Sequence, residues 1–131
     1  MKTFNLRIIA PDRIFYEGVV TAVEFHTTEG QIGVLPEHVP TTVFVKPGIL
    51  NIYEEGELRV AALHAGFAEI LQDRVTILAE IVEWPQEIDE DRAQAAAERA
   101  RERLRIKAPE TDIVRAEAAL MRAMTRITLV R

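Results

Sequence analysis

The sequence predicts an α+β chain: an N-terminal antiparallel β-sandwich followed by a C-terminal antiparallel two-helix hairpin. Three observations predict it. Apolar residues alternate with period two in the first part of the chain and recur with the helical period in the last part. All six glycines precede Pro85, whereas alanines crowd between Ala93 and Ala123. Charge divides at the same place. Residues 1–84 carry six Lys/Arg against twelve Asp/Glu, net −6, and residues 85–131 carry ten against nine, net +1, giving the chain its −5. The expected units are 1–84 and 85–131, with the boundary between Val82 and Ile88.

Phe4, Leu6 and Ile8 alternate with polar neighbours and define the first strand, as Val75, Ile77, Ala79 and Ile81 define the last. Short β-rich runs lie between them at Val19–Thr27, Gln31–Leu35, Thr41–Val45, Ile49–Tyr53, Leu58–Leu63 and Phe67–Leu71. Pro11-Asp12, Glu29-Gly30, Pro47-Gly48, Glu55-Gly56 and Gln72-Asp73 punctuate them as turns. Many short strands with regular punctuation favour a sandwich. Gly30 and Gly33 are expected to bracket a tight turn, and Pro36 and Pro40 to stiffen the segment after it, so that Glu29–Pro40 presents a fixed surface.

After Trp84-Pro85, Ala93, Ala96, Ala97, Ala100 and Leu104 form one stripe of a helix that must stop before Pro109. Thr111 or Asp112 caps the second helix. Its Ala116, Ala119 and Ala123 form a small-residue strip beside a bulkier one of Ile113, Leu120, Met124 and Ile127. The combined apolar arc is wider than one partner helix needs. Alanine faces would let two antiparallel helices approach closely, leaving the bulky strip to bury against the sandwich. Alanine removes little area from water, at ~25 cal/mol per Å², so the hairpin is expected to be weakly held.

Composition narrows the function classes. In 131 residues, 48% hydrophobic and 28% charged, there is no cysteine and no serine, which removes disulfides, thiolate metal sites and Ser or Cys nucleophiles together. A negative net charge argues against nucleic acid. No apolar run reaches the ~18 residues of a membrane span, and MKTFNLRIIAPD meets a proline and an acid too early for a signal peptide, so a cytosolic chain is expected. His26, His38 and His64 have neither metal-ligand spacing nor a nucleophile to serve, and read as surface or strand histidines. Asp89, Glu90 and Asp91 read as a helix start rather than a metal site, because carboxylates there favour the macrodipole.

The arginines carry more. Arg92, Arg99 and Arg103 share a face of the first helix, and Arg122 and Arg126 are i, i+4 neighbours on the second. In an antiparallel hairpin the early turns of one helix meet the late turns of the other. Arg92 and Arg99 would then converge with Arg122 and Arg126. Such a cluster requires an anion. Protein carboxylates such as Glu83, Asp89, Glu98 and Glu117 would make it a solvated salt network, whereas a polyphosphate would be held by bidentate guanidinium forks. The pattern alone leaves both open.

One stretch is recognisable. Gly30-Gln31-Ile32-Gly33-Val34-Leu35-Pro36-Glu37-His38-Val39-Pro40 is similar to the GxxGxLPxHxP stretch of the epsilon subunit of F-type ATP synthase. Ala65-Gly66-Phe67 and Asp73-Arg74-Val75-Thr76-Ile77-Leu78 resemble the next strand pair of that family, and the resemblance covers essentially the whole chain. Ile88-Asp89-Glu90-Asp91-Arg92-Ala93 matches the I/L-D-x-x-R-A pattern of nucleotide-binding bacterial members. Glu83, Arg99, Arg122 and Arg126 stand where those members place an acid before the hairpin and arginines on both helices.

The resemblance implies a non-catalytic rotor subunit with no catalytic cofactor and no metal. Its sandwich would bind the gamma subunit and rest on the c-ring, with Gly30, Gln31 and Gly33 near the ring and His38 near gamma. Its hairpin would bind ATP as a regulatory ligand when compact, with the phosphates among Arg92, Arg99, Arg122 and Arg126. Glu83, Ile88 and Asp89 would lie near base and ribose, beside Ala93. Extended along gamma, the hairpin would hinder ATP hydrolysis by the alpha and beta subunits. Membrane contact would come only through the complex, at the cytoplasmic face of the cell membrane. A different class, a β-sandwich ligand-binding module with a helical dimerisation hairpin, remains the alternative, separated by whether the chain copurifies with gamma or only self-associates.

Overall fold

The computed structural model describes residues 2–131. Eight strands come first: β1 (Phe4–Ala10), β2 (Arg13–Val20), β3 (Ala22–Thr27), β4 (Gly30–Val34), β5 (Thr41–Val45), β6 (Gly48–Glu54), β7 (Glu57–Ile70) and β8 (Arg74–Glu83). A single 3-10 turn, Pro85–Glu87, leads into α1 (Glu90–Ile106) and α2 (Ile113–Val130).

The strands form one hydrogen-bonded network in the order β2-β1-β8-β7-β5-β3-β4, with β6 pairing both β3 and β7. β7 is the spine. Its first half, Leu58–Leu63, pairs with β6, and its second half, Gly66–Ile70, pairs with β5. Register shifts between Leu63 and Gly66 bend it against β8. Gly66 makes the bend possible: its φ is +138°, and a Cβ there would collide with the Leu78 carbonyl oxygen. The folded-over layers enclose one core in which Leu6 and Ile8 of β1 join Phe25 of β3, Leu50 and Ile52 of β6 and Ile77 of β8, all fully buried. At ~25 cal/mol per Å² of apolar surface this cluster dominates the stability of the sandwich.

Three strand expectations are corrected. Leu58–Leu63 and Phe67–Leu71 merge into one strand that ends at Ile70, because the chain between them, at Ala65-Gly66, bulges and does not turn. Val19–Thr27 is broken at Thr21, whose amide leaves the strand to donate to the Tyr53 carbonyl at 2.8 Å, and β2 begins already at Arg13. The sandwich is antiparallel except for β1 against β8, which run parallel from Asn5↔Arg74 to Ile9↔Leu78. These two strands stand at opposite ends of the domain's sequence, so no hairpin constrains their direction.

Both helices start on an aspartate. Asp89 accepts from the Arg92 amide and Asp112 from the Arg115 amide, each at 3.1 Å. Lys107 closes α1 in the left-handed conformation, φ +54°. The helices pack antiparallel through Ala93, Ala97 and Ala123 with Ile127 and, partly buried, Ala96 and Leu120; this cluster is separate from the sandwich core. The bulky strip of α2 is therefore not buried on the sandwich as expected. Ile127 and Leu120 complete the hairpin's own seam, and Met124 stays 37% exposed, its sulfur 3.1 Å from Arg101 Nη2.

Candidate functional site

Sandwich and hairpin meet at the end of β8. Trp84, the chain's single tryptophan, stacks on Phe15 with ring centroids 4.2 Å apart, and the Arg59 guanidinium lies 4.4 Å above its ring. Glu87 folds the backbone back by accepting from the Trp84 amide at 2.8 Å. Arg13 of β2 grips the same carboxylate with both Nη atoms, at 2.9 and 2.8 Å. These hydrogen bonds from Arg13 and from the Trp84 amide hold the Glu87 carboxyl below the usual carboxylate range. The linker is thus fixed to the sandwich up to Glu87.

Beyond it opens a cavity of about 340 Å³. Glu83 and Glu87 line its sandwich side, Ile88 and Asp89 its floor, and Arg92, Ala93, Ala96 and Arg99 of α1 with Arg126 of α2 the rest. Of the eight residues expected to hold ATP, seven lie here. Arg122 does not. It faces an adjoining groove of about 890 Å³ together with Arg103 and Arg115, and only Arg99 borders both. Four residues of helix rise ~6 Å, which carries Arg122 one turn away from the linker and toward the hairpin tip.

Charge in the cavity is unevenly paired. Glu83 Oε1 accepts from Arg126 Nε at 2.7 Å and lies 3.0 Å from His64 Nε2. Burial pushes the Glu83 carboxyl up, but hydrogen bonds from His64 and Arg126, with the charge of Arg126, outweigh it and hold it below the usual carboxylate range. Glu98, which the salt-network reading assigned to the cluster, pairs instead with Arg101 of its own helix, and Asp89 is occupied as a cap. Glu102 and Glu90 take Arg105 and Arg131. Among the described residues no carboxylate lies within ion-pair distance of Arg92, Arg99 or Arg122.

Sequence reasoning missed His64 and Glu87. Of the two expected readings, surface or strand, His64 takes the strand one: it lies in β7 and is 1% exposed. Its position in Leu63-His64-Ala65-Gly66, beside the bulge, was the only available signal. Glu87 stands three residues after Trp84, a spacing suited to capping, but nothing local marks Arg13 as its partner.

The second group of expected residues lies on β4 and in the segment that follows it. Gly30, Gln31 and Gly33 are exposed along β4, and Gly33 is a strand residue opposite Glu24, so the two glycines do not bracket a turn; only Gly30, φ +113°, sits in one. His38 is half-buried between exposed Leu35 and Val39, its Nδ1 2.7 Å from the Val39 carbonyl. An apolar row crosses the outer face of the sheet. Ile14, Ile9, Leu78, Phe67 and Phe44 are consecutive register partners on β2, β1, β8, β7 and β5, and four of them are 38% exposed or more. The row ends beside the β3–β4 turn, where the Phe44 carbonyl accepts from Thr28.

Comparison with known proteins agrees with this architecture piece by piece. A family model described as the ATP synthase delta/epsilon chain β-sandwich domain matches residues 3–85, and one described as its long α-helix domain matches 86–130. The ATP synthase epsilon chain of Caldanaerobacter subterraneus subsp. tengcongensis is 47% identical over 129 residues, 98% of this chain and 94% of that one. That of Bacillus licheniformis is 38% identical over the full length of both. Among solved structures, a chain in the cryo-EM structure of the Euglena gracilis mitochondrial ATP synthase, with OSCP, F1 and c-ring in rotational state 1, aligns at TM-score 0.83 and 25% identity. The match covers 98% of this chain and 82% of that one.

The chain belongs to the ATP synthase delta/epsilon family. Its full-length relatives are epsilon chains, a non-catalytic subunit of the synthase.

Proposed function

We propose that the hairpin is an ATP-sensitive regulator of ATP hydrolysis and that the sandwich seats the subunit on gamma and on the c-ring. The observation that carries the first part is the cavity at the linker, where Arg92 and Arg99 face a polar space without carboxylate partners while Glu83, Ile88 and Asp89 close its other side. Guanidinium forks suit phosphate oxygens, and the acids and linker backbone suit hydroxyl and base edges. With Arg122 in the adjoining groove, the triphosphate would run past Arg99 toward the hairpin tip. Only a ligand with different affinity for two states shifts their balance, and separating the helices from the linker would scatter this set. ATP therefore favours the compact hairpin, and its loss frees the helices to extend along gamma and hinder the alpha and beta subunits.

The apolar row on the sheet supports the second part, since a contiguous exposed apolar band marks a covered surface. Gly30, Gln31 and Gly33 would meet the c-ring and His38 gamma, at the cytoplasmic face of the cell membrane. Calorimetry on the full chain tests the ATP reading. Wild type should bind ATP, and Arg99→Ala should weaken binding roughly tenfold or more, because each charged hydrogen bond contributes ~1.5–3 kcal/mol. Equal binding by both, or none by wild type at millimolar ATP, overturns it.

A further inference from the structure

His64 is buried to 1% exposure in β7, at the start of the bulge. Its Nε2 lies 3.0 Å from Glu83 Oε1, the same oxygen that Arg126 holds at 2.7 Å, while its Nδ1 is buried without a partner. An ionised carboxylate only accepts, so Nε2 must carry the proton. In the neutral Nε2–H tautomer only a lone pair is left unpartnered at Nδ1. Moving the proton, or adding a second, would strand a buried N–H donor. The imidazole is fully buried, whereas Glu83 is the last residue of β8 and its side chain is 25% exposed, which leaves a carboxylate several rotamers.

We propose that His64 is the positioning residue of the junction: as the neutral Nε2–H tautomer it fixes the Glu83 carboxylate so that one oxygen is presented to Arg126, and thereby sets how firmly α2 docks on the sandwich. Among the described residues Glu83–Arg126 is the ion pair that ties α2 to the sandwich, the other junction pair, Arg13–Glu87, ending on the linker. The relay runs from the sandwich core through one shared oxygen to the helix. Its effect on ATP rests on the proposed nucleotide site; its effect on docking does not.

The chain has no cysteine, so labels can be placed on Leu58→Cys of β7 and Val114→Cys of α2, both exposed, and the docked fraction read as a distance distribution without nucleotide. His64→Leu should lower the docked-to-undocked ratio about tenfold, the loss expected for a hydrogen bond to a charged group, while His64→Gln, which keeps an N–H donor, should recover most of it. In an Arg126→Ala background His64→Leu should change the ratio less than about threefold, because its effect passes through that arginine. Nitrogen-15 shifts of the wild-type ring, which need no variant, should show the neutral Nε2–H form. A Nδ1–H tautomer, equal losses for Leu and Gln, or losses that add in full across the Arg126→Ala background would each overturn the proposal. If docking responds as stated but wild type binds no ATP, the nucleotide reading falls and the positioning role stands. If ATP binds and docking ignores His64, the reverse holds.

Discussion

Replacing Ala97 by leucine should unseat the hairpin and leave the sandwich intact. Ala97 is fully buried in the seam between the helices, with Ala93 at 3% and Ala123 at 1% exposure around it. An isobutyl group in place of that methyl cannot turn toward solvent, and the seam it would enter is already filled by Ala123, Ile127 and Leu120 of α2. The helices must separate, which costs ~1–3 kcal/mol for overpacking a close-packed site. At ~1.4 kcal/mol per factor of ten, helix opening should become roughly 5- to 150-fold more frequent. No residue of the sandwich core belongs to this cluster, so none of the loss should reach the strands. Hydrogen exchange on the full chain reads both regions in one experiment. Protection of α1 and α2 amides should fall by that factor while β1 and β8 amides keep theirs. Unchanged helix protection would show that the seam is not tightly packed. Equal loss in the strands would show that the two clusters unfold as one, and either result refutes the reasoning.

The same geometry sets other outcomes. Arg126→Ala should favour an undocked hairpin even without ATP, because it breaks the Glu83 pair, whereas Arg122→Ala should matter only when ATP is present; label distances in the two conditions separate them. Glu83 has a lowered folded-state value, so its docking contribution is complete above the unfolded-state value and is lost as pH falls through the folded one. An acid titration should show the hairpin loosening below pH 4.5, a step absent in Glu83→Gln. Gly66→Ala should destabilise the sandwich by ~3 kcal/mol or more in denaturant melts, since it combines a disfavoured φ with a clash against the Leu78 carbonyl. Gln31→Glu with His38→Glu should weaken assembly on gamma and the c-ring while leaving the isolated fold unchanged, as copurification will show.

The change of period near Pro85 made the fold class legible, because a face buried every second residue and one buried every third or fourth leave different traces in sequence. Asp89 was legible as part of a helix start, and Asp112 as one of two candidate caps beside Thr111, for the same local reason. The strand count was not. Whether Ala65-Gly66 turns or bulges depends on β8 passing close enough to forbid a side chain, a contact between residues far apart in sequence. The parallel β1–β8 pairing is likewise a property of the whole sheet. At the site, spacing along α1 placed Arg92 and Arg99 together, but the position of Arg122 depended on how far along α1 the second helix docks. That relative shift comes from Ile127 and Leu120 completing the alanine seam, and no local pattern records it. His64 was hidden for a similar reason: its meaning lies in Glu83, which reaches it only after two strands have paired.

The anchoring of Trp84 has a consequence for how motion in this chain would be seen and where it must occur. With its indole stacked on Phe15 under Arg59, and Glu87 locked by Arg13, any swing of the hairpin has to be absorbed past Glu87, at Ile88 and Asp89. There the backbone is extended, with φ −90° at Ile88 and −88° at Asp89. The sole indole therefore sits on the stationary side of the pivot. Its emission is a monitor of the mooring and not of the boom: it should stay constant while the helices travel, and shift only if the linker itself peels from the sheet.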